Sequence, residues 1–448
     1  MGPLHKREFQ MIAEGHEVQN VVVLGASGLI GSACLRALKA NGFKTIAVGR
    51  STSGARRSDP DTTWIFRDIA KTEPADWTDI LEGVDVVVNA SGALQNGARD
   101  NLSAIHEEAL ANLISALEGK STRFIQISAA GVSANAPTEF FRSKMRGDRL
   151  LMQSTLDWVI LRPTLVIGPE AYGGTALLRA AASFPLRFPK ALASRPMQTV
   201  SVFDVADAVV QTARGEIASG TVADLTESGQ RSFAETIEAI RMWQGFPPWR
   251  FQLAVPASLM SLLALGADAL GWLGWRSPLR TTAIRTLEQG VTGDPANWRA
   301  AGGQPCRGLW DTLAEMPATA QERWFARLYL LLPLAIATLS LFWTASGLIG
   351  LARSDVAQAL LTDRGAPYFL AALVVVGGSV ADLILGAAVL VRKWARPACL
   401  GMVAVSVLYL LGGTVFAPDL WTDPLGPLLK VLPAIVLSLP AAALLDER

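Results

Sequence analysis

The chain has 448 residues, 50% of them hydrophobic, and sets 40 basic against 39 acidic side chains for a net charge of +1. That length suits two or three domains, and the near-neutral balance, with no basic stripe and no nucleic-acid motif, excludes DNA and RNA as expected partners. Cys34, Cys306 and Cys399 lie far apart and His5, His16 and His106 form no ligand pattern, so neither a disulfide framework nor a metal is expected.

The apolar residues are unevenly placed. The last third is nearly free of charge over long runs, while the first two-thirds has an ordinary globular balance, so the two regions are expected in different solvents. Residues 1–19 form a polar extension without an apolar signal core, and the domain that follows is expected to stay on the side where it is made. Position six is Lys6 rather than the Ser or Thr that a myristoylation site wants.

From residue 20 onward short apolar runs alternate with helical stretches. Strands are expected at 21–24, 43–48, 63–66, 84–89, 123–128 and 158–161, with helices at 29–40, 102–117 and 140–153 between them. Fully apolar strands alternating with helices imply an α/β fold, a doubly wound parallel sheet whose ligand sits at the carboxyl ends of the strands. Beyond Pro163 the pattern loosens around Gly168-Pro169 and Gly173-Gly174, as loops wrapping a substrate pocket would. Residues 200–213 and 234–243 read as helices of a small cap that completes a domain over 20–245.

Residues 246–322 form an apolar helix and linker region. Its run 256–275 has Asp268 as its only charge before the helix ends at Trp272 and Trp275. Its glycines and central charge favour a helix lying on the membrane surface or against the cap over a fifth span.

Residues 323–448 then hold four apolar runs. Those at 328–352 and 397–418 carry no charge, 366–391 carries only Asp382, and 425–445 only Lys430. Each meets the roughly 20 residues needed to cross a bilayer, so a C-terminal four-helix transmembrane bundle is expected. Arg323, Arg327, Arg392, Lys393 and Arg396 flank one side, while Asp419 and Asp423 fall in the third loop. The positive-inside rule then places both termini in the cytoplasm, in an inner or plasma membrane. Asp382 marks either a functional site or a bond to a neighbouring helix through a residue such as Thr338 or Ser406. Lys430 is expected to snorkel.

The firmest motif is Gly25-Ala26-Ser27-Gly28-Leu29-Ile30-Gly31, between the first strand and the first helix. Gly25 permits the tight turn, Gly28 lets the backbone approach a pyrophosphate, and Gly31 lets the helix pack on the strand. The helix N-terminus offers free N–H groups to the phosphates. The second strand ends in Gly49-Arg50-Ser51, with Arg56 and Arg57 behind and no acid before Asp59. Arginine there suits the extra phosphate of NADP(H), which a carboxylate would repel.

This GxxGxxG spacing resembles the short-chain dehydrogenase/reductase superfamily of Rossmann proteins over about residues 20–228. Asp68-Ile69 resembles that family's adenine-contacting pair, and Asn89-Ala90-Ser91-Gly92 its Asn-Ala-Gly turn. Leu161-Arg162-Pro163 and Gly168-Pro169 resemble the segment beside the nicotinamide in extended and atypical members. The cofactor-binding residues this implies are Gly25, Ser27, Gly28, Leu29, Ile30, Gly31, Arg50, Ser51, Asp68, Ile69, Ala90, Ser91, Gly92, Ser128, Lys144 and Pro163.

The family's Tyr-x-x-x-Lys pair is broken. Phe140-Phe141-Arg142-Ser143-Lys144 keeps the lysine but puts phenylalanine at the tyrosine position, and phenylalanine has no proton to pass. The catalytic serine aligns with Ser128 or, after a one-residue shift, with Ala129. Tyr172 is the one tyrosine of the soluble portion, and Lys144 keeps a binding role toward the nicotinamide ribose.

The combination resembles atypical members related to the nucleotide-binding accessory subunit of mitochondrial complex I. The C-terminal part resembles the DoxX-like membrane family, through its four-span layout and Asp419-Leu420-Trp421. That resemblance implies quinone-linked electron transfer. The leading expectation is a membrane-anchored NADPH-dependent oxidoreductase with a lipophilic substrate, a quinone or a lipid carbonyl. The alternative is a non-catalytic NADPH-binding module that senses cofactor or stabilises a membrane complex. An epimerase, which needs the missing tyrosine, ranks last.

Overall fold

The computed structural model describes residues 19–50, 62–97, 100–171, 173–184, 193–249, 257–275 and 281–446. The chain forms two compact units, Met1–Ser261 with Leu279–Thr319, and Leu262–Pro278 with Ala320–Arg448.

The first unit is built on strands β1 (Asn20–Leu24), β2 (Lys44–Gly49), β3 (Thr63–Phe66), β4 (Val86–Asn89), β5 (Arg123–Ile127) and β6 (Asp157–Pro163). Two short strands, β7 (Leu165–Ile167) and β8 (Pro196–Met197), precede β9 (Thr199–Ser201), β10 (Thr221–Leu225) and β11 (Arg231–Ser232). The main sheet has seven strands in the order β10-β6-β5-β4-β1-β2-β3, and all of its pairings are parallel. β10, with its Ala-Asp interruption, carries too weak an apolar signal to be expected from sequence.

Its helices are α1 (Leu29–Ala40), α2 (Pro74–Ile80), α3 (Ala109–Leu117), α4 (Glu139–Met152), α5 (Gly173–Ser183), α6 (Val202–Ala213) and α7 (Phe233–Trp243). The sheet is covered on both faces because its strands are apolar on both. In β1, Val21 and Val23 enter a core with Leu35 and Leu38 of α1, while Val22 and Leu24 meet Trp77, Leu110 and Leu113 on the other side.

Two expectations change. The expected cap helix at 200–213 is instead β9 followed by α6, and α6 buries Val205, Ala206, Val209 and Val210 in the sheet core beside α1. A helix with an apolar face this wide needs a large partner surface. Only α7 behaves as the expected cap helix, packing Phe233, Ile237 and Ile240 with Leu178 and Ala182 of α5. The helix expected over 102–117 opens with a π-helical turn, Ala104–Glu108, before α3.

The region 246–322 divides between the units. After α8 (Ala257–Trp272) come α9 (Thr281–Gln289), α10 (Ala296–Ala300) and α11 (Leu309–Ala314). Val291 bridges Met197, Trp298 is 2% exposed within the sheet core, and Leu309, Leu313 and Met316 pack with Ile167 and Ala239. Much of the expected linker is therefore structural.

The second unit contains α8 and then α12 (Ala320–Ala352), α13 (Ser354–Thr362), α14 (Tyr368–Ala388), α15 (Arg392–Phe416) and α16 (Val431–Asp446). α12, α14 and α15 are long and apolar enough to cross a membrane, whereas the apolar stretch of α16 is shorter, Val431–Leu445. The fourth apolar run begins as turns, because Pro424, Gly426 and Pro427 oppose helix there. α12 and α14 pack closely through small residues: Ser340 donates to Gly386 O at 2.8 Å, and a Cβ on Gly347 would stand 2.6 Å from Ser379 O. Asp382 is bonded by Ser346 of α12 at 2.7 Å, rather than by the expected Thr338 or Ser406. Arg364 and Asp419 pair at 2.7 Å, joining the loops after α13 and after α15.

Candidate functional site

The turn after β1 is the best-formed part of the site. Gly25 has φ +70°, and a Cβ there would stand 2.9 Å from Ala90 O and from Ser91 N. Only glycine fits both the conformation and the approach of the β4 turn. A Cβ on Gly31 would stand 2.2 Å from Gly25 O, so α1 sits directly on the turn. Gly28 N donates to Gly25 O at 2.9 Å and Gly28 caps α1 with extended backbone. No side chain caps this helix and no acid occupies its first turn, so its N–H groups and dipole remain available to an anion. Ser27 Oγ would stand 3.5 Å from a Cβ on Gly49 at the end of β2. Leu29 and Ile30 lean on the sheet core, and Leu29 also reaches Gly168.

Arg50 follows β2 and pairs with Asp100 at 2.7 Å. Ser51, Arg56, Arg57 and Asp59 lie outside the described residues, as does Tyr172. Asp68 accepts from Ala70 N at 3.3 Å and starts a single 3₁₀ turn, and Ile69 is buried beneath it. These two residues stand at the end of β3, as expected.

The β4 turn is fixed from below. Asn89 donates to Gln126 at 2.9 Å and accepts from Ser91 N at 3.2 Å. Ser91 Oγ is buried without a hydrogen-bond partner among the described residues, and Ala90 N donates to Leu24 O. A Cβ on Gly92 would stand 3.5 Å from His106 Nε2 and 3.7 Å from Lys144 Nζ. The glycine cradle, an orphaned hydroxyl and a lysine thus converge on the ends of β1 and β4. Those are the features a dinucleotide requires at this switch point.

Lys144 sits on α4 and donates to Ile127 O at 3.1 Å. Burial pushes its pKa down to about 8, against the opposing charge of Asp148. Phe140, one turn earlier, holds its ring 5.7 Å from Nζ. The two candidate serine positions have different neighbours. Ser128 is 4% exposed and donates to Asp148 Oδ2 at 2.8 Å. Ala129 instead clusters with Phe140, Phe141 and Val132. Phe140 thus stands where a short-chain dehydrogenase has its tyrosine, and its ring has no ionisable proton to transfer. Pro163 is buried at the end of β6 and accepts from Ala130 N at 3.0 Å.

Two further groups were not legible in the sequence. His106, on the π turn, accepts from Ala93 N at its Nε2 (3.3 Å) and meets Ser143 Oγ at its Nδ1 (2.8 Å). Ser143 in turn donates to Phe140 O at 3.2 Å. These partners fix the tautomer with hydrogen on Nδ1. Burial, then the charges of Lys144 and Arg146, hold the histidine pKa down to about 2, so the ring is neutral. Asp148 is the second. It takes Arg162 Nη2 at 2.9 Å and Ser128 on one oxygen, while Oδ1 has no partner. Burial raises its pKa against Arg162 and Ser128. The Lys144–Asp148 spacing of four residues was visible in sequence, but Arg162 joins them only through the sheet.

Residues 25–216 match the NAD(P)H-binding family and residues 340–439 the DoxX-like family. The chloroplastic divinyl chlorophyllide a 8-vinyl-reductase of Arabidopsis thaliana is 30% identical over 162 residues. That alignment covers 32% of this chain and spans 39% of the relative's length. The WbmH enzyme of Bordetella bronchiseptica, solved with NAD+, superposes with a TM-score of 0.51 at 18% identity, covering 67% of this chain and 97% of that one. The NADPH-dependent quinone oxidoreductase of Escherichia coli, solved with NADPH, gives a TM-score of 0.50 at 16% identity, covering 66% and 98%. The chain therefore carries a Rossmann-type fold whose residues 25–216 are similar to the NAD(P)H-binding family, followed by a segment similar to the DoxX-like family, and these likenesses support a nicotinamide dinucleotide as cofactor.

Proposed function

We propose that this protein is a membrane-anchored NADPH-dependent oxidoreductase that reduces a lipophilic acceptor, a quinone or a lipid carbonyl. The observation that carries the reading is an intact nucleotide cradle at Gly25, Gly31 and Gly92, with Lys144 beside it, on a chain that has, among the described residues, three helices long and apolar enough to cross a bilayer. The quinone oxidoreductase likeness in fold agrees with it.

The first turn of α1 would hold the pyrophosphate, and Asp68 and Ile69 would border the adenine. Arg50 would leave Asp100 for the 2′-phosphate of NADPH. Ser91 Oγ, Lys144 and Pro163 would border the nicotinamide riboside, with Ser128 bracing Lys144 through Asp148. When bound, the dinucleotide supplies hydride. The accompanying proton comes from water or from the Lys144 ammonium, because Phe140 has none to give. In the bilayer, α12, α14, α15 and the shorter α16 would make four crossings, with both termini cytoplasmic and lipid as the surrounding partner.

Phe140 in place of the tyrosine favours a second reading, a non-catalytic NADPH-binding module that senses cofactor or stabilises a membrane complex. Purification in detergent, mass analysis of the released nucleotide and stopped-flow oxidation of NADPH with ubiquinone analogues separate the two. Bound NADPH that is oxidised, with loss of binding in Gly28→Glu, supports the reductase. Bound but inert NADPH moves the assignment to the sensor, and absence of nucleotide removes both.

A further inference from the structure

We infer that α8 is a non-crossing helix seated in one leaflet of the bilayer, on the side from which the chain enters it. The inference rests on the membrane reading of the bundle proposed above.

Connectivity is the first observation. Residues on both sides of α8 build a single folded unit. Val291 pairs with Met197, and Gln198 N donates to Val291 O at 2.8 Å. Trp298 lies in the core made by β1, β5, β6, α1 and α6, and Leu309, Leu313 and Met316 pack with Ile167 and Ala239. A single crossing by α8 would put the two halves of this core on opposite faces of about 30 Å of hydrocarbon. The helix has 16 residues, about 24 Å of rise, which is itself short for that distance.

The second observation fixes where α8 ends. Trp275 Nε1 donates to Leu390 O at 2.6 Å, and Arg392 N donates to Leu273 O at 3.0 Å. The Arg392 guanidinium lies over the Trp275 ring and also donates to Leu445 O at 2.7 Å. The end of α8 is thus held level with the α14–α15 turn and the end of α16, beside Lys393 and Arg396. Ala267 and Gly271 face inward, whereas Leu262, Leu265 and Trp272 are each more than 60% exposed. Leucines and a tryptophan on one face, against a cationic rim, match the boundary between acyl chains and anionic headgroups. A second copy of the chain could cover the leucines, but it would have no use for the rim.

The test uses the full chain carrying Cys306→Ala, since Cys34 and Cys399 are buried. Bimane is placed at Leu265→Cys, at Leu341→Cys of α12, or at Glu288→Cys of α9. Each protein is reconstituted in phosphatidylcholine–phosphatidylglycerol vesicles whose acyl chains are brominated either near the headgroup or near the chain end. Leu265→Cys is expected to be quenched about twofold more by the headgroup-proximal bromine, Leu341→Cys by the deep bromine, and Glu288→Cys by neither. Quenching of Leu265→Cys chiefly by the deep bromine would overturn the leaflet position. Its absence there, with Leu341→Cys still quenched, would mean that protein covers α8, and would also overturn the inference. Absence at Leu341→Cys would instead sink the membrane reading of the bundle. An impermeant maleimide should label Ser219→Cys and Glu288→Cys, which flank α8 in sequence, from the same vesicle face. Labelling from opposite faces would overturn the proposal.

Discussion

Lys144 is the residue on which binding and stability pull in opposite directions. Its ammonium is buried, bonded to Ile127 O, and held at a pKa of about 8 against an ordinary value of 10.5. The unfolded chain therefore binds this proton more tightly than the folded one. At pH 7 the buried charge costs the fold on the order of 3 kcal/mol, a cost that lapses as pH rises from about 8 toward 10.5. The stability of the native protein relative to Lys144→Met should rise through that window in denaturant unfolding. NADPH affinity should do the reverse, falling in the native protein above about pH 8 while the weaker binding of Lys144→Met stays flat. Parallel pH curves for the two proteins would show that Lys144 neither titrates there nor touches the nucleotide. A buried charge beside a glycine cradle accords with the binding role proposed above for Lys144.

At the scale of elements, the π turn Ala104–Glu108 couples the β4 turn to α4. Its His106 bridges Ala93 and Ser143, and Arg146 of α4 forks onto Glu107 at 2.7 and 2.8 Å. π turns inside helices frequently mark functional positions, because the extra residue re-aims a side chain. The folded histidine resists protonation down to about pH 2, whereas the unfolded one protonates near 6.5. Stability from this group is complete above pH 6.5 and declines below it, by about 1.4 kcal/mol per pH unit. His106→Gln should therefore flatten the acid limb of unfolding between pH 6.5 and 4, measured against the native protein, and should weaken NADPH binding at pH 7. An unchanged acid limb would mean that the ring is protonated in the fold. The same element explains a limit of sequence reading. The run 102–117 has a helical period throughout, and nothing local in it announces the wider turn or the partner for His106 on α4.

Across the whole molecule, the Rossmann unit closes only when the chain has passed through α8 and returned. Trp298 is 2% exposed in its core, and Glu227, itself buried, accepts from Thr199 N at 2.9 Å and Leu309 N at 3.0 Å. Removing a buried tryptophan costs about 3–5 kcal/mol, and the loss of the Leu309 donor from the buried Glu227 carboxylate adds to that. A chain ending at residue 319 should bind NADPH in detergent within about twofold of the full protein, by fluorescence titration, since no cradle residue lies beyond it. A chain ending at residue 245, where the sequence pattern places the domain boundary, should aggregate. Equal binding by both would show that the returning segment is dispensable.

Features that depend on short stretches of chain are legible in the amino-acid order. The GxxGxxG turn between a strand and a helix, six of the seven strands of the main sheet, the missing tyrosine at Phe140 and the long uncharged helices all follow from neighbours within a few residues, where backbone sterics and solvent preference act. The remaining features are set by packing between distant parts of the chain. The fold gave Ser128 to Asp148, and packed Ala129 and Phe140 on one small cluster around Phe141. It drew α6 into the core, found Ser346 for Asp382, and returned residues 279–319 to a fold that the pattern had closed at 245. Each of these is a contact between distant residues, chosen by which apolar faces and buried polar atoms can satisfy one another in three dimensions, and no local period records that choice.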